Sequence, residues 1–109
     1  MESIVISAEH PAKFYEAITV STTAIGFTDG KWASTQDGYN YGRCWAVFVT
    51  VEDANIRFRI DGGIPTTTVG HKLTDGQNLT LTNKDDIKNF LAIRDDAVDA
   101  SLKVSYRFE

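Results

Sequence analysis

The chain has 109 residues and a mass of 12.1 kDa, the size of one domain, so we expect residues 1–109 to share one core. Its 42% hydrophobic and 24% charged residues are typical of a globular protein, and a net charge of −4 is unsuited to nucleic-acid binding. We expect neither a membrane span nor a signal peptide, and the single Cys44 excludes an internal disulfide and a cysteine-based zinc site.

The composition favours β-strands. The chain contains 9 Ile, 8 Val and 12 Thr but only 5 Leu and 1 Met, and it adds 6 Phe, 4 Tyr and 2 Trp. Branched and aromatic side chains pack well on a pleated sheet, whereas branched side chains lose rotamer freedom in a helix. This composition predicts an all-β protein.

The N-terminal part of the chain predicts short strands followed by a turn-rich segment. Ser3–Ala8 and Lys13–Ser21 are predicted strands, and Thr23–Phe27 is a candidate third strand. Thr28–Arg43 contains two Asp-Gly pairs, at positions 29–30 and 37–38, which are typical of turns because glycine accepts a positive φ. We therefore predict turns or one long loop between Thr28 and Arg43.

Two strands with clear patterns follow. Cys44–Glu52 is nearly continuously apolar, as expected of a central strand, and one of its faces carries Trp45, Val47, Val49 and Val51. Ile56–Ile60 alternates strictly. We predict that Ile56, Phe58 and Ile60 point to the core, while Arg57 and Arg59 point outward.

The C-terminal part predicts three more strands and one helical turn. Leu79–Thr82 alternates after the Asp75-Gly76 turn, Phe90–Arg94 is a further strand, and Leu102–Glu109 closes the chain. Between them, Asn83 can cap a helical turn at Lys84–Asn89. The sum is a single β-sandwich of seven or eight strands, either jelly-roll or immunoglobulin-like, with one short helical turn near 84–89.

The sequence does not place the residue types of a catalytic or metal site at the spacing that such sites require. His10 and His71 lie far apart without metal-ligand spacing, so we expect both to face solvent or play a structural role. Cys44 begins the most apolar strand, where a buried and inert thiol is expected. No nucleophile or phosphate-loop motif is present. We predict a protein that is not an enzyme and needs no cofactor or metal.

The acidic residues also favour structural roles. Asp85-Asp86 suits the start of the helical turn, and Asp95-Asp96 suits a solvent-exposed segment better than an acid/base pair. Asp29 and Asp37 lie in glycine-containing turns that could hold calcium, but the ligand pattern of a calcium loop is absent.

Two groups of residues are candidates for an interface. Trp32, Tyr39 and Tyr41 lie among small polar residues, which suits a protein interface or a sugar platform; equally, these rings could cover the open end of the sandwich. Arg57 and Arg59, joined by Lys103 and Arg107, could meet an acidic partner; alternatively, they form cross-strand pairs on a solvated face.

Two parts of the sequence resemble segments of known protein families. IRFRIDGGIPTTT (56–68) is similar to the strand–turn phrase of chitobiase C-terminal-like β-sandwich domains, although the later Tyr-x-x-Pro element of those domains is missing. The succession of Ala46–Ala54, IRFRIDGGIPTTTVGHKL (56–73), DGQNLTLTN (75–83), DDIKNFLAIR (85–94) and LKVSYRF (102–108) resembles small proteins encoded among the structural genes of tailed bacteriophages. This second resemblance spans most of residues 45–108.

The phage resemblance implies a structural protein of the virion, assembled in the cytoplasm of a host bacterium. The expected role is capsid decoration, in which a cement protein binds the major capsid protein or other virion proteins and stabilises the head. Cement proteins are often trimeric, so a homotrimer is expected. The alternative is a carbohydrate- or receptor-binding module of a tail or head–tail accessory protein, using Trp32, Tyr39 and Tyr41. We expect neither nucleic acid nor membrane as a partner.

Overall fold

The computed structural model describes residues 11–109, which form an all-β, sandwich-like fold of antiparallel sheets with two short helices. The predicted strand Ser3–Ala8 and His10 lie outside these residues. The elements in chain order are β1 (Ala12–Val20), α1 (Asp29–Trp32), β2 (Thr35–Gln36), β3 (Tyr39–Asn40), β4 (Cys44–Glu52), β5 (Ile56–Arg59), β6 (His71–Leu73), β7 (Asn78–Leu81), α2 (Lys84–Asn89), β8 (Leu91–Arg94) and β9 (Ala100–Phe108). Within residues 11–109, neither helix has the length and apolarity needed to cross a membrane.

The strands form two main sheets and one small hairpin. The larger sheet has the order β1-β9-β4-β7, the smaller has the order β6-β5-β8, and β2 pairs with β3. Every pair is antiparallel. The long strands β4 and β9 lie side by side in the centre of the larger sheet, where Val49 pairs with Val104. The C-terminal strand is therefore held on both sides.

The core lies between the two main sheets. Along β9 the buried residues alternate with partly exposed ones, and the predicted inward set is confirmed: Leu102, Val104, Tyr106 and Phe108. Phe58 of β5 packs on Phe90 with ring centroids 5.6 Å apart, and Phe90 stacks on Phe27 at 4.4 Å. Phe27 meets Tyr106 of β9 edge to face at 6.1 Å. These rings join the two sheets into one apolar cluster.

The structure corrects or refines the predictions for three segments. Thr23–Phe27 is not a strand: only Ile25 bridges to Ala92 of β8, because the chain here crosses from one sheet to the other. Of the two alternatives for Thr28–Arg43, the turns are confirmed at Asp37-Gly38, which joins β2 to β3, whereas one long loop is not, because the segment also contains α1. No strand was predicted at His71–Leu73, which forms β6, and His71 pairs there with Phe58.

One side chain of β4 also differs from its predicted position. Trp45 was placed on the same face as Val47, but its exposed fraction is 36% whereas Val47 is fully buried. The pairing of β4 with β9 is irregular between Cys44 and Ala46, as in a β-bulge. A bulge inserts an extra residue and thereby reverses the alternation of the side chains before it. Trp45 is consequently released to the surface.

Candidate functional site

The Asp37-Gly38 pair builds the hairpin that carries two of the predicted interface residues. Asp37 and Gly38 both have positive φ, 51° and 79°. A two-residue turn of this kind matches the right-handed twist of paired strands. Thr35 therefore pairs with Asn40, and Gln36 pairs with Tyr39.

Side-chain hydrogen bonds fix this hairpin to the rest of the molecule. Nε2 of Gln36 donates to the carbonyl oxygens of Ala33, at 2.8 Å, and Lys31, at 3.2 Å. The amide of Tyr41 donates to the carbonyl of Ser34 at 2.8 Å. The hairpin is thus bound to the end of α1 rather than held by its own short ladder alone.

Tyr41 and Tyr39 form a tilted ring pair, with an angle of 56° between the planes, that runs from the core to solvent. The Tyr41 ring is half-buried and meets Phe14 edge to face at 4.9 Å and Phe108 at 5.9 Å. Tyr39 lies 4.5 Å from Tyr41, and 62% of it is exposed. Tyr41 therefore anchors the ring pair, and Tyr39 presents its ring outward.

A shallow groove of about 270 Å³ lies beside this ring pair. We call it the hairpin groove; its lining residues are Lys13, Tyr39, Asn40, Tyr41 and Glu109. Two tyrosine rings next to amide, ammonium and carboxylate groups offer stacking together with hydrogen bonds of both senses. This combination suits the recognition of a ligand or partner, because the polar groups fix the orientation of a bound group and the rings supply contact area.

Trp32, the third aromatic residue of the predicted interface, lies elsewhere. It is half-buried against the core and lines a separate cleft, the Trp32 cleft, of about 150 Å³. Its walls are Trp32, Ala33, Ser34, Arg43, Cys44, Lys84 and Ile87. The structure therefore divides the predicted aromatic loop between two concavities.

Arg43 and Trp45 also belong to this surface, although no sequence pattern marks them as interface residues. The guanidinium of Arg43 lies 4.0 Å from the centroid of the Trp45 ring, which is a cation–π contact. Arg43 Nε also lies 3.7 Å from Oε1 of Glu109, a residue of the hairpin groove. Since Arg43 lines the Trp32 cleft, it connects the two concavities. The bulge that exposes Trp45 has no signal in the sequence.

The two arginines of β5 point outward as predicted, and each pairs with an acid of the same chain. Arg57 Nε donates to Asp95 at 3.0 Å, and its Nη1 donates to the carbonyl of Gly70 at 3.2 Å. Arg59 makes a two-point contact with Asp61, at 2.7 and 3.0 Å. The hydrogen bonds from Arg59 and from the amide of Gly63 lower the pKa of Asp61 to about 2.

Lys103 and Arg107 do not join the β5 arginines. Both belong to β9, in the larger sheet, where they alternate with the buried residues and so face outward. Arg57 and Arg59 lie on the outer face of the smaller sheet. Outer faces of two packed sheets point in opposite directions. The prediction that these four cations form one patch is therefore wrong.

His71, Cys44 and the pair Asp85-Asp86 lie on three different elements of the described residues, β6, β4 and α2. His71 is exposed, and its ring lies 5.4 Å from that of Phe58. Cys44 is buried as predicted, and this burial raises the pKa of its thiol to about 11. Asp85 and Asp86 donate backbone N–H groups to Oδ1 of Asn83, at 2.8 and 3.4 Å, so the predicted cap is confirmed. Among residues 11–109, no three His, Cys, Asp or Glu side chains are grouped as ligands for a metal.

Comparison with protein-family models, with curated proteins and with solved structures gives no match to this chain. The resemblances to phage virion proteins and to chitobiase C-terminal-like domains therefore stay predictions.

Proposed function

We propose that this chain is a non-enzymatic structural protein of a bacteriophage virion, and specifically a capsid decoration (cement) protein that stabilises the head. The observation that carries the proposal is the hairpin, which presents an exposed tyrosine on a support fixed to the core. The resemblance of residues 45–108 to small phage proteins supplies the virion context. The partner is the major capsid protein or another protein of the virion.

The hairpin surface has the physical properties of a protein-binding surface. Tyrosine, tryptophan and arginine are enriched among the residues that contribute most binding energy at protein interfaces. Tyr39 contacts Tyr41, and Arg43 contacts the ring of Trp45, so each of these side chains has a supporting contact within the chain before binding. A side chain that is ordered in advance loses less conformational entropy on binding.

A repeating shell would strengthen this binding. A capsid presents many copies of one surface, and linked binding events raise the overall affinity without any new contact. We propose that the chain acts as a homotrimer, so that three hairpins engage neighbouring shell subunits together. Light scattering coupled to size-exclusion chromatography tests this state: the expected mass is three times 12.1 kDa, and a monomer at all concentrations, free and on shells, would argue against it.

The direct test of the proposed function is the protein content of purified particles. Phage particles from the organism that carries the gene should contain the chain in many copies, measured by quantitative mass spectrometry and by antibody labelling in the electron microscope. Shells without the chain should bind the added protein in a co-sedimentation assay. Absence of the chain from purified particles would overturn the proposal.

A matched pair of variants tests the role of the hairpin in that assay. Tyr39 and Tyr15 are similarly exposed, at 62% and 60%, but Tyr15 lies on β1 outside the hairpin groove. We expect Tyr39→Ala to weaken shell binding by about tenfold or more, which is typical of an interface anchor, and Tyr15→Ala to change it little. Equal effects of both substitutions would show that the hairpin is not part of the interface.

The hairpin groove also favours the second candidate, a carbohydrate- or receptor-binding module. Sugars stack on exposed aromatic rings and hydrogen-bond to neighbouring polar groups, and the groove offers Tyr39 beside Lys13, Asn40 and Glu109. A glycan array followed by calorimetric titration tests this function. Saturable binding that is lost in Tyr39→Ala and kept in Tyr15→Ala would favour it over the cement role, whereas no binding to any glycan would argue against it.

A further inference from the structure

The Trp32 cleft lies between the end of α1 and the helix α2. Trp32 and Ala33 come from the end of α1, Ile87 comes from α2, and Cys44 begins β4. Its volume of about 150 Å³ is space for several water molecules, or for one small branched side chain. The two helices of the described residues therefore border a cleft that is separate from the hairpin groove.

The inner wall of the cleft is apolar and carries no charge. Ile87 is 2% exposed, and Trp32 is half-buried. Cys44 is 8% exposed, and burial raises the pKa of its thiol to about 11, so the thiol is neutral at physiological pH. An aliphatic group that enters here exchanges water for an apolar surface, which is favourable.

The charged residues at the cleft are both cations. Arg43 and Lys84 belong to its lining, and none of its lining residues is acidic. Lys84 is exposed and makes no ion pair with any residue of the range 11–109. Arg43 is paired with Glu109, but both side chains are about half exposed, at 52% and 51%. Exposed pairs are weak, so another carboxylate can replace Glu109 at little cost.

From this combination of an apolar wall and two cations, we propose that the Trp32 cleft binds an aliphatic residue that carries or adjoins a carboxylate on a partner polypeptide. The aliphatic group packs between Trp32 and Ile87, and the carboxylate pairs with Lys84 and Arg43. This inference rests on the proposed function in one respect: the partner is the virion protein to which the chain binds. The cleft then supplies a second anchor beside the hairpin.

N-acetyl-L-leucine is a probe that contains both groups, and N-acetyl-L-leucinamide is its uncharged control. We expect the leucine to shift the Trp32 indole and Ile87 methyl NMR signals of the full chain saturably, with a millimolar dissociation constant. The amide should bind at least about fivefold more weakly, since it lacks the charge. No saturable shift at these signals, or equal affinity of the two probes, would overturn the proposal.

Two substitutions on α2 make the same change of charge at different positions. Lys84→Glu places an acid at the cleft, whereas Lys88→Glu places one on an exposed residue that does not line it. We expect Lys84→Glu to weaken probe binding by about fivefold or more and Lys88→Glu to change it less than about twofold. A glutamate is favourable in the first turn of a helix, so Lys84→Glu should fold, which circular dichroism checks. Equal effects would overturn the assignment of Lys84.

The probe and the particle assay separate failure of this inference from failure of the proposed function. If shells bind the chain but N-acetyl-L-leucine leaves Trp32 and Ile87 unchanged, the cleft is not an anchor and the cement role stands. If the probe binds but purified particles lack the chain, the chemistry of the cleft stands and its partner is not a virion protein.

Discussion

A single carboxylate, that of Glu16, connects three parts of the fold. Its Oε1 accepts a hydrogen bond from Oγ1 of Thr28 at 2.7 Å, and its Oε2 accepts one from the amide of Thr28 at 3.4 Å. The hydroxyl of Tyr106 also donates to Oε2. Burial and the nearby carboxylate raise the pKa of Tyr106 far above its ordinary value, so the hydroxyl keeps its proton and acts as a donor. Glu16 thereby holds the segment before α1 against β1 and β9.

We expect Tyr106→Phe to lower the free energy of unfolding by about 1 to 2 kcal/mol, because it removes a hydrogen bond to a charged group and leaves the ring in place. Urea denaturation followed by circular dichroism measures the change. Tyr15→Phe is the matched control, since Tyr15 is 60% exposed and should lose less than about 0.5 kcal/mol. A loss in Tyr106→Phe no larger than in Tyr15→Phe would show that the Glu16 contact adds no stability.

At the scale of whole elements, regular patterns were predictable and irregular ones were not. The bounds of β4 and α2 agree with the prediction because each signal is local: a continuous apolar run in Cys44–Glu52, and a cap at Asn83. The β2–β3 hairpin has only two residues in each strand and depends on the Gln36 side chain and on ring stacking, which periodicity does not detect. Fold class and the Asp37-Gly38 turn therefore followed from the sequence, while the short strands of the hairpin and the Trp45 bulge did not.

The sequence indicated part of the candidate site but not its arrangement, and it gave no signal for Arg43 and Trp45. Aromatic residues in a polar segment identified Trp32, Tyr39 and Tyr41. Their division between a groove and a cleft depends on where Tyr41 meets Phe14 and Phe108, which are distant in sequence. The wrong placement of Lys103 and Arg107 beside the β5 arginines has a similar cause. Alternation assigns each residue to an outward face but does not say which sheet contains the strand.

The turn before β6 provides a prediction about glycine. Gly70 has φ 123°, and a Cβ added there would lie 2.9 Å from the carbonyl oxygen of Phe58. Both the backbone conformation and the space therefore require glycine. We expect Gly70→Ala to lower the free energy of unfolding by about 1 to 3 kcal/mol, measured by urea denaturation.

Gly30 in α1 is the matched control for this substitution. A Cβ at Gly30 would meet no heavy atom within 4 Å, and its φ lies outside the positive region. We expect Gly30→Ala to be neutral or to stabilise the protein by up to about 1 kcal/mol, because alanine restricts the unfolded chain and favours a helix. If both substitutions destabilise equally, the strain assigned to Gly70 is wrong.

At the scale of the whole molecule, one core serves both sheets. The apolar cluster includes inward residues of β4 and β9 from the larger sheet and of β5 and β8 from the smaller one. The segment after β1 also crosses between them, since the amide of Arg94 in β8 donates to the carbonyl of Ser21 at 2.9 Å. Neither sheet can separate without exposing the apolar side chains of the other. The two sheets should therefore unfold together.

This coupling predicts one cooperative unfolding transition for the whole chain. In urea, far-ultraviolet circular dichroism follows the sheets, while tryptophan fluorescence follows Trp32 beside α1 and Trp45 at the bulge of β4. Both probes should give the same midpoint and slope, because small domains with one core unfold in a two-state manner. Trp32→Phe leaves Trp45 as the only tryptophan and provides the control that assigns the tryptophan signal. The contrary result is a fluorescence midpoint that lies below the circular dichroism midpoint and rises to it in Trp32→Phe. This result would show that the segment around α1 and the hairpin opens before the sheets do. It would contradict the role of the hairpin as a fixed binding surface.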